Sequence, residues 1–386
     1  MRCEVQTLGA IEGVDATRWN ALVDADQPFL RHEFLYALEA SGAVTPRSGW
    51  TPSHLLVWQD GTLIAAMPRY FKMHSYGEYV FDWAWADAWE RAGGDYYPKA
   101  LSAIPFTPAP GPRVLLAPGG ERLGLLQESI QTLAEHCCVD SLSSWHLLFA
   151  EDAEIDAWQA LRPRLIERHA VQFQWQDRGF GDFDGFLAAM TSKRRKEVRR
   201  ERRRVAEQGF ELHRLSGAQI DRAALEHFYR CYRMTYLERG QRPYLSFEFF
   251  QRLHQSMPAT LVLIQARLNG QPIAAALCMQ GDKTLYGRYW GSEVEADCLH
   301  FETCYYQGIE HCLTHGLTRF DPGTQGEHKL TRGFAPRLLR SLHHINDPDF
   351  HRAVAHFCRE ESSYVEAYHR QAMSRLPFRQ ASPDEP

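Results

Sequence analysis

The 386-residue sequence has no CxxC pair and no secretory start. It also lacks an apolar run near the ~20 residues needed to cross a bilayer. Its nine cysteines are odd in number and irregularly spaced. That excludes the tightly paired framework of a small secreted domain and predicts reduced thiols in a cytoplasmic protein. A net charge of −5 excludes a globally basic nucleic-acid binder, though not a local basic patch. The GxxxxGK[ST] phosphate loop and the GxSxG nucleophile elbow are absent. The HEFLY at His32 lacks the second histidine of a zinc-protease helix, and His343, His344, His351 and His356 have no metal-ligand spacing. No metal and no cofactor are expected. With 44% hydrophobic and 24% charged residues the chain has an ordinary globular composition, and its length predicts two domains.

What is present first is an internal repeat. PFLRHEFLYALE (Pro28–Glu39) matches PYLSFEFFQRLH (Pro243–His254), and DGTLIAAMPRY (Asp60–Tyr70) matches NGQPIAAALCM (Asn269–Met279). YGEY at Tyr76–Tyr79 matches YGRY at Tyr286–Tyr289. The three pairs keep one order at an offset of about 210 residues. The EHC pair at Glu135 and Glu310 is closer, which places an insertion in the first half. The proline-rich stretch 104–120 fits it as a loop. Two homologous halves follow, 1–178 and 179–386.

The second half predicts a basic helix over 183–208 ended by Gly209, then helices over 218–239 and 246–257. Apolar strands over 260–268 and 271–280 are joined by Asn269-Gly270, a strong hairpin signal. A strand over 283–291, a helix over 299–315, a strand over 317–321 and a C-terminal helix complete an α+β domain.

This order resembles the GNAT acyltransferase fold, and two such halves resemble the Fem-type aminoacyltransferases. The similarity extends to the FemAB-like peptidoglycan biosynthesis or recognition proteins. It is carried by HSYGEYVFDWAWADA (His74–Ala88), SKRRKEVRRERR (Ser192–Arg203), RYWGSEVEADCLHFETCYYQGIEHC (Arg288–Cys312) and FDPGTQGEHK (Phe320–Lys329). The resemblance implies two tandem GNAT-like domains and an amide-forming transferase. Its partners would be aminoacyl-tRNA or another activated acyl donor, and a small amine or peptidoglycan-precursor acceptor. Two other classes stay open: a recognition protein without turnover, and an acyl-CoA-dependent transferase. Against the last, the segment where a GNAT pyrophosphate loop would stand reads GSEVEADCL and is acidic; Gly111 and Gly119-Gly120 keep it open.

Candidate residues fall into three groups. Lys193–Arg204 carries nine basic residues against Glu197 and Glu201. Lys193, Arg194, Lys196, Arg199, Arg200 and Arg203 are the expected contacts to tRNA or another phosphate. Glu78, Asp82 and Trp83 belong to a dense acidic–aromatic run, read as a strand entering a loop, where desolvation would raise a carboxyl pKa. In the second half Tyr286, Arg288, Tyr289, Trp290, His300, Gln325, His328 and Lys329 are expected to line a substrate site. Glu302, opening a helix, and Asp321, ending a strand, are the candidate proton acceptors.

Overall fold

The protein is described by a computed structural model covering residues 3–119, 121–137, 141–324 and 326–379. Its chain forms two compact units that are discontinuous in sequence. Unit 1 holds Met1–Ala170, Tyr244–Phe249 and Leu338–Ala367; unit 2 holds Val171–Pro243, Phe250–Arg337 and Tyr368–Pro386. No helix among the described residues is long and apolar enough to cross a membrane. The eight described cysteines are free.

In unit 1, strands Cys3–Leu8, His54–Gln59, Thr62–Met67 and Leu115–Leu116 form an antiparallel sheet in that order. The turn at Asp60-Gly61 puts both residues at positive φ (48° and 78°), the geometry that matches strand twist in a two-residue hairpin. A second set of strands follows the order Ser144–Leu147, Lys99–Ser102, Tyr70–Lys72, Trp50–Pro52. Helix Arg122–Cys137 buries Ile130 and Leu133 in one core with Leu55, Val57, Trp145 and Trp158. A smaller core joins Trp85, Tyr96, Ile166, Phe350, Val354 and Cys358.

In unit 2, strands Phe210–Ser216, Leu261–Leu268, Gln271–Gln280 and Thr284–Ser292 form an antiparallel meander. Asn269-Gly270 makes the predicted hairpin, with φ of 53° and 76°, the counterpart of Asp60-Gly61. Strand Arg319–Asp321 then runs parallel to Thr284–Tyr286. The crossover between them is the helical run from Leu299 to His315, whose middle, Glu302–Tyr306, is a π-helical turn. This is the mixed α+β, tandem GNAT-like order that the sequence predicts.

Three local expectations are corrected. The helix expected over 183–208 is two helices, Phe183–Ala189 and Ser192–Glu207. Met190 takes an extended backbone (ψ 157°) and bridges to Phe378, which breaks the i→i−4 ladder. The aromatic run after Tyr79 is a helix, Trp83–Arg91, and not a strand. Positive φ at Gly77 (82°) and Tyr79 (63°) ends any extended run, and Trp85 and Ala86 bury one helical face. Tyr76–Tyr79 is therefore a loop, whereas Tyr286–Tyr289 lies in a strand. The proline-rich stretch is a loop only as far as strand Leu115–Leu116, and a buried one: Glu154 accepts the backbone N–H of Arg113 at 2.7 Å and of Val114 at 3.2 Å.

Candidate functional site

Unit 2 builds its site where the crossover helix meets two strand ends. Pairing along Thr284–Ser292 passes from Tyr289↔Leu277 to Gly287↔Cys278, so Arg288 is the extra residue of a β-bulge. Bulges re-aim side chains, and here the guanidinium reaches Asp321. Arg288 Nη2 donates to Asp321 Oδ2 at 2.9 Å and Nη1 to Oδ1 at 3.3 Å, with both side chains under 5% exposed. The N–H of Gly323 donates to Asp321 Oδ1 at 2.9 Å. Tyr286 lies beside the same guanidinium, 5.3 Å from ring centroid to Cζ.

Lys329 comes in from the short helix Glu327–Arg332 and is buried. Its Nζ donates to the carbonyl oxygens of Gly323 (2.7 Å) and Pro322 (3.4 Å), which close the loop after Asp321. Burial, helped by Arg288, pulls the amine down to about 8 despite the attraction of Asp321. Around it stand rings: His300 lies 5.4 Å from Trp290 and 6.1 Å from His328, and Tyr305 Oη meets His328 Nε2 at 2.9 Å. Burial and the charges of His328, Lys329 and Arg332 push His300 down to about 4, so it is neutral at pH 7.

The structure therefore joins Arg288, Asp321 and Lys329 in one charged set, and places Trp290, His300 and His328 in the adjoining aromatic one. It takes two expected members elsewhere. Glu302 is buried one turn inside the crossover helix, where Arg202 grips both oxygens (Nε–Oε2 3.0 Å, Nη2–Oε1 3.0 Å) and Gln307 adds a third bond at 2.8 Å. Tyr289 is a core residue against Tyr232 and Phe250, and burial drives its phenol well up. Gln325 lies outside the described residues.

On helix Ser192–Glu207 the charges divide by face. Arg202 turns inward to Glu302 and Glu310, and Glu201 accepts bonds from Arg332 and from Tyr306. Arg194 pairs with Glu197 at 2.6 Å, and Arg199 and Arg203 make only long contacts to Asp184 (3.6 Å) and Glu207 (3.9 Å). Lys193, Lys196 and Arg200 face solvent with no acid partner among the described residues. A cavity of ≈450 Å³ runs along this helix, with Arg199, Arg202 and Arg203 over the apolar Phe183, Leu187 and Phe210.

Unit 1 holds a second charged cluster. Lys99 Nζ donates to Ser75 Oγ (2.8 Å), to Glu78 Oε2 (2.8 Å) and to Asp82 Oδ2, which also accepts from Tyr96 Oη (2.7 Å). Lys72 Nζ sits 3.5 Å over the Trp50 ring and 3.9 Å from Glu78 Oε1. All four charged side chains are buried. Burial raises Glu78 to about 7 and lowers Lys72 to about 7. The desolvation expected for both acids acts on both, but at Asp82 the Lys99 ammonium and its bonds outweigh it and hold the group below the usual carboxylate range. Trp83 stands beside the exposed Tyr76, their rings 4.8 Å apart. Lys72, Lys99 and Ser75 have no sequence signal of their own: a lone lysine near YYP reads as surface until the sheet buries it.

A metal finds a weaker claim. His227, Cys231 and Glu293 are the described trio whose donor atoms lie within 4.8 Å. The His227–Cys231 contact (3.4 Å) is a hydrogen bond in itself, and Glu293 is exposed.

Comparison with known proteins bears on the fold and the family. Residues 10–380 match the family described as FemAB-like, peptidoglycan biosynthesis/recognition. Among solved structures the chain is similar to FemX at 12% identity, covering 91% of this chain and 100% of that one with a TM-score of 0.54. It is also similar to the C-terminal domain of a putative lysylphosphatidylglycerol synthetase from Agrobacterium fabrum (11% identity, 89% and 94% coverage, TM-score 0.52). A tandem GNAT protein from the clavulanic acid pathway matches at 11% identity over 90% and 99% of the two chains, TM-score 0.45. No curated protein matches. The chain belongs to the FemAB-like family described as peptidoglycan biosynthesis/recognition, and has a tandem GNAT-like fold.

Proposed function

We propose that the protein forms an amide bond by passing an aminoacyl group from an activated ester, such as aminoacyl-tRNA, to an amine on a peptidoglycan precursor. The observation that carries this is the buried Lys329 beside the Arg288–Asp321 pair. When an amine attacks an ester, the carbonyl oxygen gains negative charge, and a fixed cation in a dry site stabilises it strongly. Lys329, anchored by two carbonyls and cationic below about pH 8, has that character. Asp321 fixes Arg288, and Glu302 fixes Arg202. Because both oxygens of each carboxylate are engaged by arginine, each acid is placed to position a cation.

The donor side rests on the solvent-facing arginines and lysines of helix Ser192–Glu207, which suit a polyphosphate carrier. The segment Glu293–Asp297 supports a donor other than acyl-CoA, since Glu293, Glu295 and Asp297 are exposed acids where a pyrophosphate would need amides. Single-turnover assays with aminoacyl-tRNA, acetyl-CoA and no donor test the reading. Amide formation from aminoacyl-tRNA alone, lost in Lys329→Met, is the expected result. Transfer from acetyl-CoA alone would replace it with the acyl-CoA class, and binding of precursor without turnover would leave a recognition protein.

A further inference from the structure

We propose that Arg332 is a positioning residue: paired with Glu201, it fixes the short helix Glu327–Arg332, and with it Lys329, relative to the basic helix Ser192–Glu207. The inference rests on the reading of Lys329 given above and adds what holds that lysine in place. Every group involved belongs to unit 2. Arg332 is buried, and its guanidinium is engaged at both edges and on one face. Nη2 donates to Glu201 Oε1 at 2.6 Å and Nε to Oε2 at 3.2 Å, while Nη1 donates to the His328 carbonyl at 2.8 Å. Its Cζ lies 3.4 Å from the centroid of the Phe301 ring on the crossover helix. One side chain thus joins three elements, and it does so at the carbonyl just before Lys329.

The short helix has little of its own to hold it. Its six residues form a 3-10 turn, whose hydrogen bonds have poorer geometry than those of an α-helix. Gly326 and Gly333 flank it at φ of 110° and 91°, the residue type with the widest backbone freedom. The carbonyls of Pro322 and Gly323 hold the amine end of Lys329, and Arg332 holds the backbone end. The π-helical turn Glu302–Tyr306 backs both partners: Tyr305 Oη meets His328 Nε2 at 2.9 Å, and Tyr306 Oη donates to Glu201. A largely buried ion pair adds little net stability, and its best-attested use is to select one arrangement. Arg199, Arg200 and Arg203 stand on the same helix as Glu201. The pair therefore sets the distance between the cations offered to the donor's phosphates and the cation offered to its ester carbonyl. Rates depend steeply on such distances, a misplacement of about 1 Å costing about 10²-fold.

The amine itself reports whether Lys329 is in place. Burial is the largest effect on it and lowers it to about 8. Asp321 and Arg288 act on it from strands Arg319–Asp321 and Thr284–Ser292, and Cys304 from the π-helical turn. Lys329 and Arg332 in turn act on His300 and His328. An amine released from this place gains water, so its pKa rises toward the ordinary value of about 10.4.

Two variants of the full-length protein test this, with folding checked by thermal melt. Arg332→Lys keeps the charge and loses the planar fork. Glu201→Gln combined with Arg332→Met removes one charge of each sign and keeps an acceptor oxygen for Tyr306. The chain has six lysines, so in protein carrying isotope-labelled lysine the NMR signal of Lys329 is the one missing from Lys329→Met. It should titrate at about 8 in the wild type and move up toward the ordinary amine value in both variants. The kcat for transfer from aminoacyl-tRNA should fall about 10²-fold while affinity for that donor is kept, and the alkaline limb of the rate should follow the amine upward. A pair that only adds stability would lower the melt and leave titration, limb and kcat in place. That result overturns the proposal and leaves the transferase reading standing, and loss of the fold in both variants overturns the proposal as well. If the wild type transfers nothing, the transferase reading fails and the titration alone decides. An amine that moves up in the variants supports the positioning role; one that stays at about 8, or already titrates near 10.4 in the wild type, overturns it.

Discussion

At the scale of single residues, the two buried lysines of interest differ in what burial leaves them. Lys99 lies between two carboxylates and is held above the ordinary amine range, whereas Lys329 has one acid and one arginine nearby and falls to about 8. Lys329 is therefore cationic below about pH 8 and neutral above it. If that cation stabilises the oxyanion, the single-turnover rate falls as pH rises through about 8, a limb that Lys329→Arg removes by keeping the charge. Lys329→Met should lower the rate about 10²–10³-fold at pH 7, the usual loss for one oxyanion donor. A flat profile from pH 7 to 9 in the wild type would remove Lys329 from that role. Asp321→Ala leaves Arg288 buried without its carboxylate, which costs about 3–5 kcal/mol. The loss is read from denaturant midpoints, and Arg288→Met in the same chain should recover much of it. That Lys329 follows closely on a strand end was legible from FDPGTQGEHK, although it lies in a short helix and not in the expected loop. That its amine would be buried against carbonyl oxygens was not, because the loop's return depends on where the bulge sends Arg288.

At the scale of elements, strands Leu261–Leu268, Gln271–Gln280 and Thr284–Ser292 follow their sequence closely, because apolar runs and the Asn269-Gly270 turn are local signals, whereas strand Phe210–Ser216 was not expected. Gly270 sits at φ 76°, where a side chain is strained by about 1–2 kcal/mol. Gly270→Val should lower the unfolding midpoint by a matching amount with an unchanged denaturant slope, and an unaltered midpoint would mean that the turn relaxes freely. Helices were less legible. The expected single basic helix breaks at Met190 because a tertiary bridge to Phe378 outbids local propensity. The aromatic run Trp83–Arg91 is helical because Trp85 and Ala86 find a core to bury against, something alternation of large and small residues cannot reveal. The basic helix itself was clear in sequence, but not its division into an inward Arg202 and an outward Arg199, Arg200 and Arg203. Changing the outward three to Glu should weaken tRNA binding and flatten its salt dependence, since each lost phosphate contact removes counterion release. Affinity and slope equal to wild type would make this face a plain solvated surface.

At the scale of the whole molecule, the compact units do not follow the division at 178. Residues Leu338–Ala367 pack in unit 1, and Phe350, Val354 and Cys358 share a core with Trp85, Tyr96 and Ile166. A fragment of residues 1–178 therefore exposes that apolar cluster, and it should aggregate or exchange amide hydrogens rapidly over 83–97. A monomeric fragment with native protection there would show that the late segment is dispensable to unit 1. The sequence by itself determined the α+β class, the tandem repeat, the Asn269-Gly270 hairpin and the basic helix, because periodicity, turn chemistry and charge density are written in neighbouring residues, and the family through the resemblance its motifs carry. Tertiary structure alone decided which charges are buried and with whom: Arg288 with Asp321, Arg202 with Glu302, and Lys99 with Glu78 and Asp82. The physical reason is that desolvation and pairing depend on distances between segments far apart in the chain, and no local pattern carries those distances.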